Sequence, residues 1–505
     1  MVFGAMLAVK ASPDFDTLGV TLLRATDATL LGDGIKVAQP EASYLVEGAW
    51  EVNPSLVGQP VSLFTYYSSG GSSSTFPNAL GTQSDHADSV AGNFYGLAGG
   101  VSPYVAHADN YEANYFYESV ILTSLPIQAR IVNQSFIFGT NPPQQTVDSQ
   151  YDNYAVQNNV LFVSGAGNSG PPSAPATAYN GIGVGAYGGS SSVGPTVDNG
   201  RSKPDITAPA GVTSFSTPYV AGAAAVLLQA ALRGDGGGTS TTNAAADLRT
   251  IKALLLNGAI KPSDWNHTNT APLDARYGAG VLNIFNSYKQ LAAGKYAFIE
   301  STAPSAGGAH PPGTGTGNVA SLTGWANTSI SSTVLADKVN HYYFNLSAAS
   351  AKSFTFTSTL VWLRQVGASG ANDLDLFLYD TSNSNLLASS VSTVDNVEHL
   401  YVSALSAGRY DLQVLKKGGV GNMGSETYLL AFESFALALS IVKSGTNVVI
   451  SWPLAPTGFR LESTPTLDQP ISWSTVTNSP AITNNQNRVT LPAVASTRFF
   501  RLARP

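Results

Sequence analysis

Between residues 34 and 294 the hydrophobic pattern alternates short apolar runs with longer segments of helical periodicity. The runs that predict strands are residues 35–38, 103–107, 130–134 and 160–163, and the segments that predict helices are residues 86–95, 112–123, 147–157, 217–232 and 246–256. Strands that alternate with helices along a chain are typical of a parallel sheet covered by helices. This part of the chain is therefore predicted to have an α/β fold.

The pattern changes after this region. Residues 302–318 are rich in Pro and Gly and lack periodicity, which predicts a linker. Beyond them, polar and apolar residues alternate as in strands, and we find no helical run. We predict two all-β, sandwich-type domains after the α/β domain. The predicted boundaries are 1–296 for the α/β domain, 297–318 for the linker, 319–435 for a β-sandwich and 436–505 for a small β domain, whose first and last strands are residues 448–452 and 498–502.

Charge and composition narrow the classes of partner. Only 11% of the 505 residues are Asp, Glu, Lys or Arg, the formal net charge is -7, and basic residues form no run, so nucleic acid and anionic membranes are poor partners. The sequence has no stretch of eighteen apolar residues, which argues against membrane insertion. It has no cysteine, which excludes disulfides, thiolate metal sites and a thiol nucleophile.

A small polar cluster opens the long, Ala- and Gly-rich helical segment. Ser214 precedes Pro218 within it and is predicted to lie at or just before the helix N-terminus. Free N–H groups and the positive end of the helix dipole favour an oxyanion there. A nucleophilic serine needs that environment, but an ordinary N-cap serine uses it equally.

The surrounding motif favours the nucleophile. Residues 213–222, TSFSTPYVAG, resemble the serine motif of the subtilisin-like (subtilase) serine proteases, and residues 203–209, KPDITAP, resemble the segment that leads to it. Residues 277–283 are similar to the end of a subtilase catalytic domain. The resemblance implies a subtilisin-like fold, a protein or peptide substrate, and a base, an acid and an oxyanion donor elsewhere in the chain.

Two further motifs supply the base and the oxyanion donor. Residues 86–92, HADSVAG, match the family's histidine motif at His86 and at VAG, with Ala and Ser where Gly and a second His are usual. Residues 164–170, SGAGNSG, are close to the oxyanion motif and contain Asn168. The resemblance implies that His86 is the general base and that the Asn168 side chain helps to hold the oxyanion.

The acid departs from the family pattern. The family places Asp at the end of the first core strand, and alignment of residues 34–40 with that strand puts Glu41 at the position. Asp33, followed by Gly34, is the alternative, but it precedes the strand. We favour Glu41, because carboxylates of either length serve in catalytic triads.

The resemblance also implies the walls of the substrate cleft. Gly165, Ala166 and Gly167 are expected to line one wall of the specificity pocket, with Ser135 and Phe136 opposite. Small residues predict a roomy pocket for an apolar side chain. Only three residues separate Pro209 from Thr213, where the family usually has a hairpin, so the leaving-group side of the cleft is expected to be more open.

No cofactor is required by this chemistry. Asp373, Asp375 and Asp380 could bind calcium, but alternating Asp on the exposed face of a strand is the preferred interpretation. No metal-ligand spacing is found among the histidines outside the motif. Residues 373–380 and 407–410 resemble β-sandwich modules that follow the catalytic domain in bacterial proteases, so the β domains are candidates to bind a surface or the substrate.

The leading hypothesis is a serine endopeptidase with a Glu41–His86–Ser214 triad and Asn168 in the oxyanion hole. The rival is a catalytically degenerate scaffold that acts as an extracellular binding or adhesion protein, which the altered acid and histidine motifs favour. An esterase or transpeptidase that uses the same triad is a third possibility. Residues 1–9 lack the basic start of a signal peptide, yet the composition and the resemblance lead us to expect a secreted or cell-surface protein.

Overall fold

A computed structural model shows the fold. It describes residues 13–43, 45–237, 244–347, 353–422, 424–436, 439–453, 459–483, 486–494 and 497–503. The N-terminal residues 1–9, considered above as a signal peptide, lie outside the described residues.

The first part of the chain alternates helices and strands. Its helices are α1 Pro13–Thr17, α2 Val20–Thr26, α3 Asp85–Phe94, α4 Ala113–Tyr115, α5 Gln144–Asn158, α6 Thr213–Arg233, α7 Leu248–Asn257 and α8 Ile284–Ala292, with further helical turns at Val61–Leu63, Phe116–Ile121 and Ala244–Ala246. Its strands are β1 Lys36–Glu41, β2 Ala49–Glu51, β3 Phe64–Ser68, β4 Gly71–Ser73, β5 Thr82–Gln83, β6 His107–Glu112, β7 Ile131–Gln134, β8 Leu161–Gly165, β9 Ile182–Tyr187 and β10 Ile206–Pro209.

Eight of these strands form one sheet in the order β10-β9-β8-β7-β1-β6-β3-β4. All neighbours are parallel except β3 and β4, which are antiparallel. Alternate residues of one strand enter different cores: Leu161 and Val163 pack with α3 and α6, whereas Phe162 packs with α5. Because successive side chains of a strand point to opposite faces, the sheet is covered by helices on both faces.

Helix α6 is the centre of the larger core. Its apolar stretch is long and hydrophobic enough to cross a membrane by length and composition, and 89% of that stretch is buried inside the protein. Small side chains let neighbours approach closely: a Cβ added to Gly222 would lie 2.7 Å from Val101 Cβ. The helix therefore passes through the fold as a core element.

After α8 the elements of the described chain are all strands. They are β11 Glu300–Thr302, β12 Thr323–Ser332, β13 Lys338–Leu346, β14 Phe354–Val361, β15 Leu374–Asp380, β16 Asn385–Ser390, β17 Val397–Leu405, β18 Gly408–Lys416, β19 Gly424–Phe435, β20 Ser440–Ser444, β21 Asn447–Pro453, β22 Arg460–Thr464, β23 Ser474–Thr475, β24 Ala481–Thr483, β25 Gln486–Pro492 and β26 Phe499–Ala503. The sheets β11-β13-β18-β15-β16 and β12-β19-β14-β17 enclose one apolar core, and β20-β21-β25-β24 and β23-β22-β26 enclose a smaller one. The predicted fold class is confirmed: a helix-flanked parallel sheet followed by antiparallel β sheets.

Several element predictions need correction. Residues 103–106 form a turn, in which Val105 bridges to Asp33, and β6 begins only at His107. Helix α6 begins four residues earlier than the apolar pattern suggested, at Thr213, because Val212 is extended and polar residues fill the first turn. Residues 448–452 lie in β21, which follows β20 and so is not the first strand of its unit.

The segment predicted as a linker is bound to the sandwich. Strand β11 pairs with β13, Gly315 N–H donates to Glu300 Oε2 at 2.7 Å, and Val319 N–H donates to the Tyr343 carbonyl at 2.8 Å. Pro and Gly in this segment mark turns that follow the sheet surface. The division of the chain at residues 296, 318 and 435 stays a prediction.

Candidate active site

Polar residues follow the carboxyl ends of three neighbouring strands. Strand β1 ends at Glu41, β7 is followed by Ser135, and β8 is followed three residues later by Asn168. These strands lie side by side in the order β8-β7-β1. Since parallel strands end at the same edge of a sheet, this is the edge where an open α/β fold gathers reactive groups.

Glu41 meets His86 at this edge. His86 lies in the first turn of α3, whose N-cap Ser84 accepts a hydrogen bond from Ala87 N–H. His86 Nδ1 lies 3.0 Å from Glu41 Oε2, and the two side chains are 14% and 1% exposed. Burial disfavours the charged imidazolium, but the hydrogen bond and the charge of Glu41 outweigh it, so the pKa of His86 is raised above its usual value.

A buried amide holds the other oxygen of Glu41. Gln39 Nε2 donates to Glu41 Oε1 at 2.9 Å and to the Ala87 carbonyl at 3.0 Å. The Tyr95 hydroxyl donates to Gln39 Oε1 at 2.6 Å. Gln39 and Glu41 are two residues apart on β1, so their side chains share one face of the sheet. Each carboxylate oxygen of Glu41 thus has its own partner, which fixes the carboxylate plane against His86.

Ser214 lies in the first turn of α6, next to Ser135. The Ser214 hydroxyl is 3.4 Å from the Ser135 carbonyl oxygen, to which it donates, and the Ser135 hydroxyl donates to the Ser214 carbonyl at 2.8 Å. The second bond has a local cause: Pro218 lacks the N–H that would bond the Ser214 carbonyl in a regular helix. Ser135 takes over that donor's role and ties the start of α6 to the end of β7.

Asn168 is held by the residue before Ser214. Its Oδ1 accepts hydrogen bonds from the Thr213 backbone N–H at 2.9 Å and the Thr213 hydroxyl at 2.8 Å. These bonds fix which end of the amide faces α6, so that Nδ2 faces away from Thr213. An amide N–H₂ fixed at a helix N-terminus is a suitable donor to an oxyanion.

All of these groups border one cleft of about 220 Å³. Its lining consists of Glu41, Ala42, Ser43, His86, Ser135, Phe136, Ile137, Gly165, Gly167, Asn168, Thr213 and Ser214. Of the five residues expected to bind substrate, four line this cleft. Ala166 does not: its side chain is fully buried and its N–H donates to the Val184 carbonyl.

Gly167 is required by the shape of the cleft wall. Its φ is +105°, and a Cβ would lie 2.7 Å from Ser192 Oγ. Ile137, which is 51% exposed, was missed from the sequence, although alternation beyond β7 would have placed it beside Phe136. Thr213 was also missed in its role toward Asn168, because that contact joins residues 45 positions apart.

The structure separates the alternative acid from the cleft. Asp33 lies before β1, at the opposite end of the strand from Glu41, where it is exposed and bridges to Val105. His86 therefore has Glu41 as its carboxylate neighbour in this structure.

The candidate calcium ligands contact other side chains. Lys417 Nζ lies 3.0 Å from Asp373 Oδ2 and 3.2 Å from Asp375 Oδ2. Asp375 is buried rather than on an exposed strand face, and burial together with the charge of Asp373 raises its pKa to about 7. Asp380 accepts hydrogen bonds from Ser382 and Asn383. Among the described residues no group of three or more His, Cys, Asp or Glu is arranged to hold a metal ion.

Solved structures of similar shape include three peptidase-like or peptide-joining proteins. A PatG macrocyclase in complex with peptide is 18% identical, with 56% of this chain and 99% of that chain covered and a TM-score of 0.38. MycP1 from the ESX-1 type VII secretion system is 15% identical, with 56% and 87% covered and a TM-score of 0.37. Tripeptidyl Peptidase 2 is 12% identical, with 76% and 43% covered and a TM-score of 0.32. All three TM-scores lie below 0.5, so these likenesses carry no weight for function.

The family comparison is more specific. The description of the Subtilase family matches residues 90–280, a range that contains Asn168, Ser214 and the whole of α6 and begins four residues after His86. This agrees with the motifs that surround Asn168 and Ser214. Residues 90–280 therefore form the matched part of a domain of the Subtilase family, and the chain carries a subtilisin-like serine-protease scaffold followed by β domains.

Proposed function

We propose that this protein is a serine endopeptidase that cleaves peptide bonds through an acyl-enzyme on Ser214. The observation that carries the proposal is the 3.0 Å contact between His86 Nδ1 and Glu41 Oε2 in the cleft that also contains Ser214. A histidine oriented by a buried carboxylate beside a serine at a helix N-terminus is the arrangement that activates a hydroxyl nucleophile.

In the first step the Ser214 hydroxyl turns from the Ser135 carbonyl toward His86. Its oxygen attacks the scissile carbonyl carbon while its proton passes to His86 Nε2. Glu41 accepts the Nδ1–H bond throughout and stabilises the imidazolium, and Gln39 keeps its carboxylate in place.

The carbonyl oxygen becomes an oxyanion as the tetrahedral intermediate forms. The Asn168 Nδ2–H group and the Ser214 backbone N–H are placed to donate to it, with the positive end of the α6 dipole behind them. A side-chain donor of this kind is worth about 3 kcal/mol in the transition state.

The intermediate then collapses. The C–N bond breaks, His86 returns the proton to the leaving amine, and the acyl group remains as an ester on Ser214. Water attacks this ester with His86 again as base, which releases the carboxylic acid and restores the serine. The acyl-side residue would lie between Phe136 and Gly167, where the cleft favours an apolar side chain.

A fluorophosphonate probe tests the proposal, because it labels serines only when they are activated. Wild-type protein is expected to label and to cleave peptides, Ser214→Ala to do neither, and Glu41→Gln to lose about two to four orders of magnitude in kcat/KM. Asp33→Asn is the matched control, since it removes the other candidate acid and is expected to retain wild-type activity.

Absence of labelling in folded wild-type protein would overturn the proposal and favour a binding protein on a protease scaffold. Equal losses in Asp33→Asn and Glu41→Gln would overturn the assignment of the acid.

A further inference from the structure

A second, larger groove lies beside the cleft. It has a volume of about 880 Å³, within the range of ligand-binding pockets. Its walls come from Ser55–Gly58, from α3 and the turn after it, from Pro209–Gly211 and from Phe215 and Tyr219 of α6, with Asp14 at the N-terminal side of the described chain. None of these residues lines the cleft that contains Ser214.

Phe215 joins the groove to the candidate active site. It directly follows Ser214 on α6, and its ring centroid lies 5.8 Å from that of His86. Its carbonyl accepts a hydrogen bond from Asn93 Nδ2 at 3.1 Å, which anchors this turn to α3. The groove therefore starts on the His86 side of Ser214, whereas Phe136 and Gly167 lie in the other cleft.

The direction of the proposed reaction decides what enters the groove. His86 gives its proton to the leaving amine, so the segment that follows the scissile bond must pass on the His86 side of the serine. We propose that this groove binds the leaving-group segment of an extended peptide substrate, an inference that deepens the proposed endopeptidase function. The occupant is thus peptide, continuous with the acyl-side segment in the smaller cleft.

The lining indicates the class of peptide. Backbone and small side chains at Gly92, Gly96, Ala98 and Gly211 leave room, while Leu56, Val57, Leu97 and Phe215 offer apolar surface, a combination that suits bulky apolar side chains. Asp14 is the single charged residue among those that line the groove. Its carboxylate disfavours an acidic side chain and favours a basic one. The predicted segment is therefore apolar and free of carboxylates, with Lys or Arg preferred near Asp14.

Glycine 92 provides a way to fill the groove. A Cβ built on Gly92 meets no atom within 4 Å, so a large side chain can extend into the open space without displacing α3. Gly370, in the loop between β14 and β15, has the same property and serves as the matched control. Gly96 does not, since its Cβ would lie 2.6 Å from the Gly92 carbonyl oxygen.

The experiment measures peptide binding to Ser214→Ala protein by competition fluorescence anisotropy. The peptides share one acyl-side sequence and carry zero, one, two or three Leu residues after the scissile position. Affinity is expected to rise by about tenfold or more over the series, because burial of a single apolar side chain has at least that effect. Adding Gly92→Phe is expected to remove most of this gain, and adding Gly370→Phe to preserve it.

A second series replaces the last Leu with Lys or Asp. Lys is expected to bind more tightly than Asp, and Asp14→Asn to reduce the difference. Equal affinity for short and long peptides, or an equal loss in Gly92→Phe and Gly370→Phe, would overturn the groove assignment and leave it to another occupant such as a second copy of the chain.

The two proposals fail in different ways. Binding to the Ser214→Ala protein needs no catalysis, so the length dependence would survive if the fluorophosphonate failed to label wild-type protein. Labelling of wild type together with a flat length dependence would instead sink the groove assignment alone.

Discussion

Gln39 lies two residues before Glu41 on strand β1, and its amide nitrogen donates to Glu41 Oε1 at 2.9 Å while Glu41 Oε2 faces His86. Gln39 is fully buried, and the Tyr95 hydroxyl fixes its orientation from the far side. The pair acts as one unit: a glutamate has one more rotatable bond than an aspartate, and Gln39 restrains the longer side chain. The sequence departure from Asp to Glu is thus accompanied by a local restraint on the new acid.

Replacing Gln39 with Leu is expected to lower kcat by about tenfold to a hundredfold, the usual effect of removing a buried partner of a functional group. The change leaves Glu41 Oε1 buried without its donor, so the carboxylate can rotate away from His86. Steady-state kinetics on a peptide substrate would measure this effect, and a pH–rate profile should show an acid limb displaced from that of wild type.

Tyr95→Phe provides the graded control for Gln39. It removes only the distant hydroxyl and is expected to cost less than Gln39→Leu. A similar loss of kcat in both variants, with equal thermal destabilisation and an unchanged pH profile, would show that Gln39 has a merely structural role.

The pH dependence of activity should report His86. The imidazole must be neutral to accept the serine proton, and Glu41 raises the pKa of His86 above its ordinary value of 6.5. We expect kcat/KM to rise with pH through a midpoint above 6.5. In Glu41→Gln the raising charge is gone and burial remains, so the midpoint should fall below 6.5 as the plateau drops. A midpoint that is identical in the two proteins would contradict this assignment.

Asp88 is the alternative source of an acid limb. It is buried in α3, where desolvation raises its pKa to about 6 even though it accepts hydrogen bonds from Asn53 and Gln83. Asp88→Asn is therefore the control, and its pH–rate profile should keep the limb. A limb that disappears in Asp88→Asn would assign the titration to Asp88.

Much of the fold could be predicted, because it follows from local patterns. The apolar run 160–163 and the alternation in residues 410–414 lie in strands β8 and β18 as expected. Boundaries were less accurate where long-range contacts decide them. The start of α6 depends on Val212 being extended, and on a donor from Ser135 that replaces the N–H that Pro218 lacks. Neither feature has a signal in the local sequence.

The candidate site was predicted to the extent that motifs carry it. His86, Asn168 and Ser214 lie in matched motifs, and Glu41 follows from the position of strand β1. The supporting contacts of Gln39 and Thr213 were not predicted, since each depends on how a turn or a helix meets a strand end. The large groove was anticipated only as a more open leaving-group side, from the short connection after Pro209.

Asn168→Ala is expected to lower kcat by about 10²- to 10³-fold with little change in KM, because its donor matters most when the oxyanion forms. Thr213→Val tests how the amide is held. It removes the 2.8 Å hydroxyl bond to Asn168 Oδ1 but keeps the backbone bond, so a smaller loss is expected. Steady-state kinetics at saturating peptide would measure both. An Asn168→Ala effect confined to KM would contradict the oxyanion role.

Two buried histidines predict acid sensitivity of the folded state. His267 packs against Trp265 with ring centroids 4.7 Å apart, and His399 lies 6.4 Å from His267 on the adjoining sandwich. Burial, with a contribution from the charge of Lys261, lowers the pKa of His267 to about 4 and lowers that of His399 well below its usual value. His267 Nδ1 and His399 Nε2 have no hydrogen-bond partner in the described structure, so neither ring is stabilised in its charged form.

Between pH 6.5 and about 4 the unfolded chain should bind protons that folded His267 does not. The free energy of unfolding is therefore expected to fall as pH decreases across this window, by an amount on the order of 2 kcal/mol. Urea unfolding at pH 7, 6 and 5 would measure the slope. His267→Gln should flatten it, whereas His310→Gln, outside this cluster, should not. An equal slope in wild type and His267→Gln would contradict the prediction.

The β-sandwich shares its packing with the subtilisin-like domain, which predicts how the chain tolerates truncation. Val361, Leu429 and Ala431 of the sandwich belong to the same buried cluster as α6 and α7. Asn257 Oδ1, at the end of α7, accepts hydrogen bonds at 3.0 Å from two threonine hydroxyls of β14. A chain ending at Gly294 would expose the apolar side chains that these residues cover and would remove both threonine donors from Asn257.

Exposing a buried Val or Leu side chain to water costs about 1.5–3 kcal/mol, so a chain ending at residue 294 is expected to aggregate or to unfold without a cooperative transition. A chain ending at residue 435 removes a unit with its own separate core around Trp452 and is expected to keep its melting temperature and its reaction with the fluorophosphonate probe. Thermal denaturation of the two truncated proteins beside the full chain would measure this contrast. A shorter protein that folds and melts like the longer one would show that the shared packing contributes little to the stability of the subtilisin-like domain.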